Sequence, residues 1–388
     1  FVKSLITKIT QTMTTLTDVD KIKQFFPKHT KRMLKVFVLI INCIVQSRTV
    51  CLYKCRDKVP NALGKKHKAK ANSNYVRIIR FFKMKFITEF IAGIHQLILN
   101  IVEIETSYLI MDRSNWKIGI KNVNILTIGG LLEGAFIPLH WLQLNKRGNS
   151  NYDERIDLID YLIGLFHLFG RSVEGMILLA DREFIGTDWI KYLCSQKLSF
   201  VIRLRENMYA QLQTFNGKKK LSFKSLSKHA ATWGIYAVPM LFEDTIYTVV
   251  IVKNPKQGRN EDPYLYFISD LKDANAIANH YLKRWKIECC FKRLKKNGFN
   301  IEDINLKTDI KIELMMGVLV CTYIMAILQG IIQTLNIPPK IKCYKNGKCY
   351  PVISIFRRGY SELQGLFTEI QKVIHFFAGF IEYKYQIV

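Results

Sequence analysis

The sequence predicts a mixed α/β fold, and three observations carry that prediction. Between residues 105 and 205, short apolar runs of β type alternate with longer stretches of helical period. A β-rich region over 206–264 then breaks this rhythm, while the first 85 residues are helical in pattern and strongly basic. Hydrophobic residues make up 49% of the 388, ample for a buried core and excluding a disordered chain.

Residues 1–85 hold 20 Lys and Arg against Asp18, Asp20 and Asp57, a local excess of +17 out of +27 for the whole chain. Cations concentrated in this way favour a polyanionic partner, because neutralising phosphates releases their counterions. An anionic membrane surface is the other partner such charge serves. Helical apolar spacing runs over 22–26 and 33–45, so this region reads as a basic helical DNA-binding domain. The turn-rich, Lys-rich stretch 60–74 reads as a linker or DNA-tracking arm. A helical stretch over 76–102 follows.

Ser107–Met111 is a short apolar strand that terminates in Asp112. Val123–Leu132 and Ala135–Leu144 complete a three-strand meander. A helix over Tyr152–Phe169 leads to a strand over Met176–Ala180, which terminates in a second acid, Asp181. A helix over Thr187–Gln196 and a strand over Ser199–Arg205 complete the order βββαβαβ. That order sets both acids at one sheet edge. The division is therefore 86–205 for the first part of a core, 206–264 for a β-rich insertion, and 265–335 for the second part. Residues 336–388 form a C-terminal region assigned to dimerisation.

Leu314–Ile332 is apolar over 19 residues and raises a membrane-spanning alternative, but Gly317, Thr322, Gln329 and Gly330 favour a buried core helix. No membrane association and no cleavable signal peptide are expected. Nine scattered cysteines do not form a secreted disulfide framework, so a reducing cytoplasm, with the protein associated with the nucleoid, is the expected location. Cys51-x3-Cys55 and Cys343-x5-Cys349 lack the spacing of a zinc ribbon.

The stretch Tyr281–Lys295 has no Gly or Pro and reads as one helix interior. At about 100° per residue, Tyr281, Arg284, Glu288 and Lys295 share one stripe. Taken alone, that stripe is equally an amphipathic helix with i,i+4 ion pairs. With Asp112 and Asp181 it supplies a third carboxylate, and two or three carboxylates suit a hard divalent cation.

The spacing Tyr281-x2-Arg284-x3-Glu288-x6-Lys295 resembles the Y-R-E-K signature of the IS4 family of insertion-sequence transposases. Met111–Lys117 and Leu179–Gly186 resemble that family's two aspartate blocks, and Gly148–Asn151, Glu154–Arg155 and Phe200–Arg203 its intervening segments. The resemblance covers roughly 105–305, and it implies a ribonuclease H-like core. On it Asp112, Asp181 and Glu288 would be the catalytic metal ligands for a pair of Mg²⁺ ions, with Mn²⁺ able to substitute. It implies that Tyr281, Arg284 and Lys295 bind the transposon end, with Arg182 and Arg203 as weaker backbone contacts. The implied activity is cut-and-paste transposition: end nicking, a hairpin, and strand transfer into target DNA by a homodimer. Trp233, Trp285 or a tyrosine is the candidate to hold a flipped base, with core packing as the default for each. The alternative is a truncated or catalytically inactive, transposase-derived DNA-binding protein.

Overall fold

The computed structural model describes residues 17–64, 67–105, 107–214, 217–242, 245–254, 262–296, 298–344, 347 and 349–383. Side chains are described throughout these except over 209–219 and at 383. The N-terminal segment and most of the turn-rich stretch 254–263 therefore lie outside the described residues.

Among the described residues six α-helices come first: α1 (Asp18–Lys23), α2 (Lys31–Ser47), α3 (Leu52–Cys55), α4 (Val59–Leu63), α5 (Ala71–Phe81) and α6 (Ile87–Ile101). The structure thus breaks the helical stretch expected over 76–102 in two, with Phe86 in the left-handed region (φ 58°) at the start of α6. The expected linker 60–74 likewise contributes to α4 and α5.

Strands β1 (Tyr108–Ile118), β2 (Lys121–Leu132) and β3 (Ala135–Gln143) form the meander. Helix α7 (Tyr152–Leu168), β4 (Ile177–Ala180), α8 (Thr187–Ser195) and β5 (Ser199–Arg203) follow. Their sheet order is β3-β2-β1-β4-β5, with β1, β4 and β5 parallel and β2 antiparallel to both of its neighbours, β1 and β3, the arrangement of a ribonuclease H-like core. The β2–β3 turn places Glu133 (φ 47°) and Gly134 (φ 66°) in the left-handed region, as a two-residue hairpin of matching twist requires.

The β-rich region has two parts. Strands β6 (Tyr209–Thr214) and β7 (Gly217–Ser222) pair as a separate hairpin, followed by α9 (Phe223–Trp233). Strands β8 (Ile235–Phe242) and β9 (Thr245–Lys253) instead join β10 (Tyr264–Ser269), which pairs antiparallel with β5. They extend the main sheet to eight strands.

Helices α10 (Ala274–Leu282), α11 (Trp285–Lys295) and α12 (Asp309–Asn336) lead to the β11 (Ile341–Cys343) and β12 (Cys349–Pro351) hairpin, α13 (Ile355–Leu366) and α14 (Ile370–Tyr383). Helix α12 is long and apolar enough to cross a membrane, but 94% of its apolar window is buried inside the protein. A core helix surrounded by β3, α6 and α13 needs no lipid, so the structure supports the core reading of Leu314–Ile332.

One apolar cluster runs from Ile22 to Ile381 and joins the N-terminal helices, the sheet and the C-terminal helices. Tyr360 on α13 donates to Ile44 and Val45 carbonyls on α2 at 3.3 Å, and Asn42 donates to the Phe367 carbonyl at 2.8 Å. Helices α12 and α13 meet at glycines: a Cβ on Gly359 would lie 1.9 Å from the Ala326 carbonyl oxygen. Cys343 and Cys349 are joined by a disulfide across β11 and β12, a pairing that the reading of the cysteines did not foresee. Direct cross-strand opposition in a short hairpin, invisible in sequence spacing alone, brings the two sulfurs together.

Candidate active site

Two carboxylates are placed by strand register. The parallel β1–β4 ladder ends at Met111↔Ala180, so Asp112 and Asp181 are the next residues on adjacent strands. Strands in a sheet lie about 4.8 Å apart, and residues at matching register share a face. Asp181 closes its strand as expected. Asp112 does not: β1 continues to Ile118 because its other edge stays paired with β2, where Asp112 faces Thr127.

The third carboxylate comes from the helical segment, and there the expected single helix is broken. Lys283 and Arg284 form a turn between α10 and α11, marked by hydrogen bonds from Lys286 to the Lys283 carbonyl and from Ile287 to the Arg284 carbonyl, both 3.1 Å. Tyr281 and Arg284 are buried at the sheet end, and the backbone at Lys283 and Arg284 stays right-handed helical. Tyr281 donates to Asp181 Oδ1 at 3.2 Å and packs on Phe267, with ring centroids 4.5 Å apart. Arg284 donates through Nη1 to Asp112 Oδ2 at 2.8 Å and through Nη2 to Glu288 Oε1.

Arg284 thus joins Asp112 to Glu288, while Tyr281 holds Asp181. Burial acts to lower the pKa of Arg284, but Tyr281, Asp112, Asp181 and Glu288 together push it up, so it stays charged. Asp112 moves the other way for a carboxylate. Burial raises it to about 6, with Asp181 and Glu183 adding to the rise and Arg284 and the Arg113 amide opposing it. Burial likewise raises Tyr281, keeping its hydroxyl a donor. Asp112, Asp181 and Glu288 are oxygen donors of the kind a hard divalent cation takes. In this conformation, however, no three acidic, His or Cys side chains among the described residues stand together as ligands, because the guanidinium occupies the position between Asp112 and Glu288.

Residues 140–325 match the family described as "Transposase DDE domain". That match spans 186 of the 388 residues, just under half of the chain. No curated protein matches the sequence. Among solved structures, a cryo-EM structure of a piggyBac transposase synaptic complex with hairpin DNA aligns at a TM-score of 0.47 with 14% identity, over 95% of this chain and 77% of that one. The DDE domain match takes in Asp181 and Glu288 and stops short of Asp112.

Of the other expected site residues, Arg203 stands beside a carboxylate and the rest sit apart from them. Lys295 donates to the Asn115 carbonyl at 2.8 Å and lies over the Trp116 ring, two turns along α11 from Glu288. Arg203 lies 4.0 Å from Asp181 but bonds Asp262 at 2.7 Å. Arg182, half exposed, reaches Asp262 at 3.8 Å and lines an open cavity of about 830 Å³ with Arg205 and Lys224. Trp233 and Trp285 are not core residues: they are 64% and 50% exposed. Trp233 lies at the end of α9 within reach of His229 and Tyr236, whose rings stack on each other.

Sequence reasoning missed the clamp beneath the acids. Arg113 holds Glu183 through Nε at 3.2 Å and Nη2 at 3.1 Å, and donates to Asn124 at 2.9 Å. Arg155 donates to the Ser150 hydroxyl and carbonyl and to the Glu183 carbonyl at 2.8 Å. A capping box between Asn151 and Glu154 starts α7 and fixes Arg155 in turn. The segment 148–155 is therefore a buttress for the turn after Asp181. Charged residues directly following each acid, Arg113 and Glu183 among them, were the available signal.

Proposed function

We propose that this protein is a DNA transposase of the IS4 type that catalyses metal-dependent, cut-and-paste transposition of an insertion sequence. The observation that carries the reading is the placement of Asp112 and Glu288 on one buried arginine, Arg284, with Asp181 held on the adjacent strand by Tyr281, in a chain whose residues 140–325 match a transposase DDE domain. Asp112, Asp181 and Glu288 would hold Mg²⁺, or Mn²⁺ in its place. Bound there, a metal pair supplies an activated water or 3′-hydroxyl and stabilises the leaving oxygen of in-line phosphoryl transfer.

The chain's own residues do the rest. Arg284 neutralises Asp112 and Glu288; were those carboxylates to hold a cation, its planar fork would be free to bind a DNA phosphate. Tyr281 fixes Asp181 while its raised pKa keeps the hydroxyl protonated. Lys295, Arg182 and Arg203 bind the DNA backbone, and Trp233 or Trp285, both exposed, stacks on an unpaired base at the cut end. Hairpin formation, strand transfer and a homodimer with its C-terminal region at the interface belong to the same reading. So do the division at residues 85, 205, 264 and 335 and a cytoplasmic, nucleoid-associated location.

With Mg²⁺, the purified protein should nick DNA carrying the ends of its element, and Asp112→Asn, Asp181→Asn and Glu288→Gln should each abolish nicking. Cutting that survives any of the three sinks the assignment. The engagement of Asp112 and Glu288 by Arg284 favours one second reading, a DNA-binding copy without catalysis. End binding without cleavage at any Mg²⁺ or Mn²⁺ concentration would select it.

A further inference from the structure

An open cavity of about 830 Å³ lies between the C-terminal half of α11 and the N-terminus of α13. Five cations line it, Arg48, Lys292, Arg293, Lys296 and Arg357, and no Asp or Glu does. Among the described residues none of the five takes part in an ion pair. Arg48, Lys292, Lys296 and Arg357 are exposed. Two of them are held in place without being neutralised: Arg48 donates to the Gln364 amide oxygen at 2.5 Å, and Arg293 donates to the Tyr323 hydroxyl at 3.4 Å and lies over the Phe356 ring.

Cations gathered around one open cavity with no acidic neighbour make a positive field that favours an anion with several charges. Two of its cations also lie on the helical stripe that carries Glu288. Glu288, Lys292 and Lys296 succeed one another at i,i+4, about 6 Å per step along the helix. The wall opposite α11 comes from Arg48 and α13, both outside the DDE domain match of 140–325.

We propose that this cavity is a second phosphate track, in which Arg48, Lys292, Lys296 and Arg357 grip the backbone of duplex DNA on its way to or from the carboxylates. The inference deepens the transposase reading and rests on it for its partner. It assigns Arg48 and α13, from the two ends of the chain, to the DNA-binding surface. Each phosphate neutralised contributes about 0.9 to the slope of log affinity against log salt.

The test uses the full chain and a short duplex of arbitrary sequence, so that it does not depend on cutting. The triple variant Arg48→Ala, Lys296→Ala, Arg357→Ala should flatten the salt slope by about 2–3 and weaken binding at low salt. Arg48→Lys, Lys296→Arg, Arg357→Lys, made in parallel, should keep the wild-type slope and show that charge, not shape, is read. The duplex should also slow alkylation of Cys289, a free thiol lining the cavity, relative to the exposed thiol of Cys194. An unchanged slope in the triple Ala variant overturns the proposal, as does Cys289 alkylation indifferent to the duplex. Wild-type protein that passes both tests but never cuts element ends leaves the track standing and removes the transposase reading. Protein that cuts but fails them does the reverse.

Discussion

Arg284 Nη1 donates to Asp112 Oδ2 at 2.8 Å across 172 residues of sequence, tying the turn before α11 to the middle of β1. Both side chains are largely buried, with 9% and 16% exposed, so neither charge is screened by solvent as a surface pair would be. Breaking a buried pair from one side leaves the other charge uncompensated, at a cost of about 3–5 kcal/mol. Arg284→Ala should therefore be strongly destabilised in urea melts at pH 8. Asp112 already sits at about 6, above its unfolded value, and losing its cation raises it further. Protonation relieves the penalty, so the loss should shrink markedly at pH 5. Equal losses at both pH values would show that packing, not charge, underlies the effect.

The order of the first five strands was legible because each is a short apolar run between punctuating polar residues, from Tyr108 to Arg203. Asp181 at a strand end followed directly. The continuation of β1 past Asp112 did not, since Arg113–Lys117 is polar and its strand character comes from pairing with β2. Nor did the interruption at Lys283–Arg284, where the backbone stays right-handed helical but tightens to i→i+3 bonds beside the side chains that reach the sheet carboxylates. The union of the N- and C-terminal helices was equally hidden, because it rests on contacts such as Tyr360 to Ile44 that no local period reports.

The clamp from Arg113 to Glu183 gives a prediction separate from the ligands themselves. Arg113 holds the turn after Asp181 through a two-point bond to Glu183 and also joins Asn124. Removing a group that orients metal-binding or catalytic side chains typically costs 10–100-fold in activity. Arg113→Gln should lower the rate of end cleavage by roughly that factor and raise the Mg²⁺ concentration needed for half-maximal rate. DNA affinity without metal should stay close to wild type. A loss confined to DNA affinity would place Arg113 on the binding surface instead.

Acid should unfold the protein from a site far from the carboxylates. His95 is buried against Tyr161, His140 and Trp141, bonding Tyr161 at 3.1 Å, and burial lowers it to about 3. His140 is lowered by burial as well, with His95 adding to the effect. The unfolded chain takes up a proton near pH 6.5 that the folded imidazole refuses, so stability is full above that pH and falls below it. The slope is about 1.4 kcal/mol per pH unit for each such histidine, until the folded pKa is reached. Urea melts of wild type and His95→Gln between pH 7.5 and 4.5 should diverge least at the acid end. Parallel curves would mean that His95 does not drive the acid transition.

Two glycines on α13 should respond to alanine with opposite signs. A Cβ at Gly359 would meet the Ala326 carbonyl oxygen at 1.9 Å and the Gly330 amide at 2.4 Å, backbone atoms that cannot step aside. Gly359→Ala must therefore push α13 off α12, and overpacking of this kind costs about 1–3 kcal/mol or more. Gly365, one turn and a half further along the same helix, has nothing within 4 Å of its added Cβ. There the gain in helical propensity, up to about 1 kcal/mol, stands alone. Thermal melts should show Gly359→Ala well below wild type and Gly365→Ala at or above it. Because α13 carries Arg357, Gly359→Ala should also flatten the salt dependence of duplex binding, whereas Gly365→Ala should not.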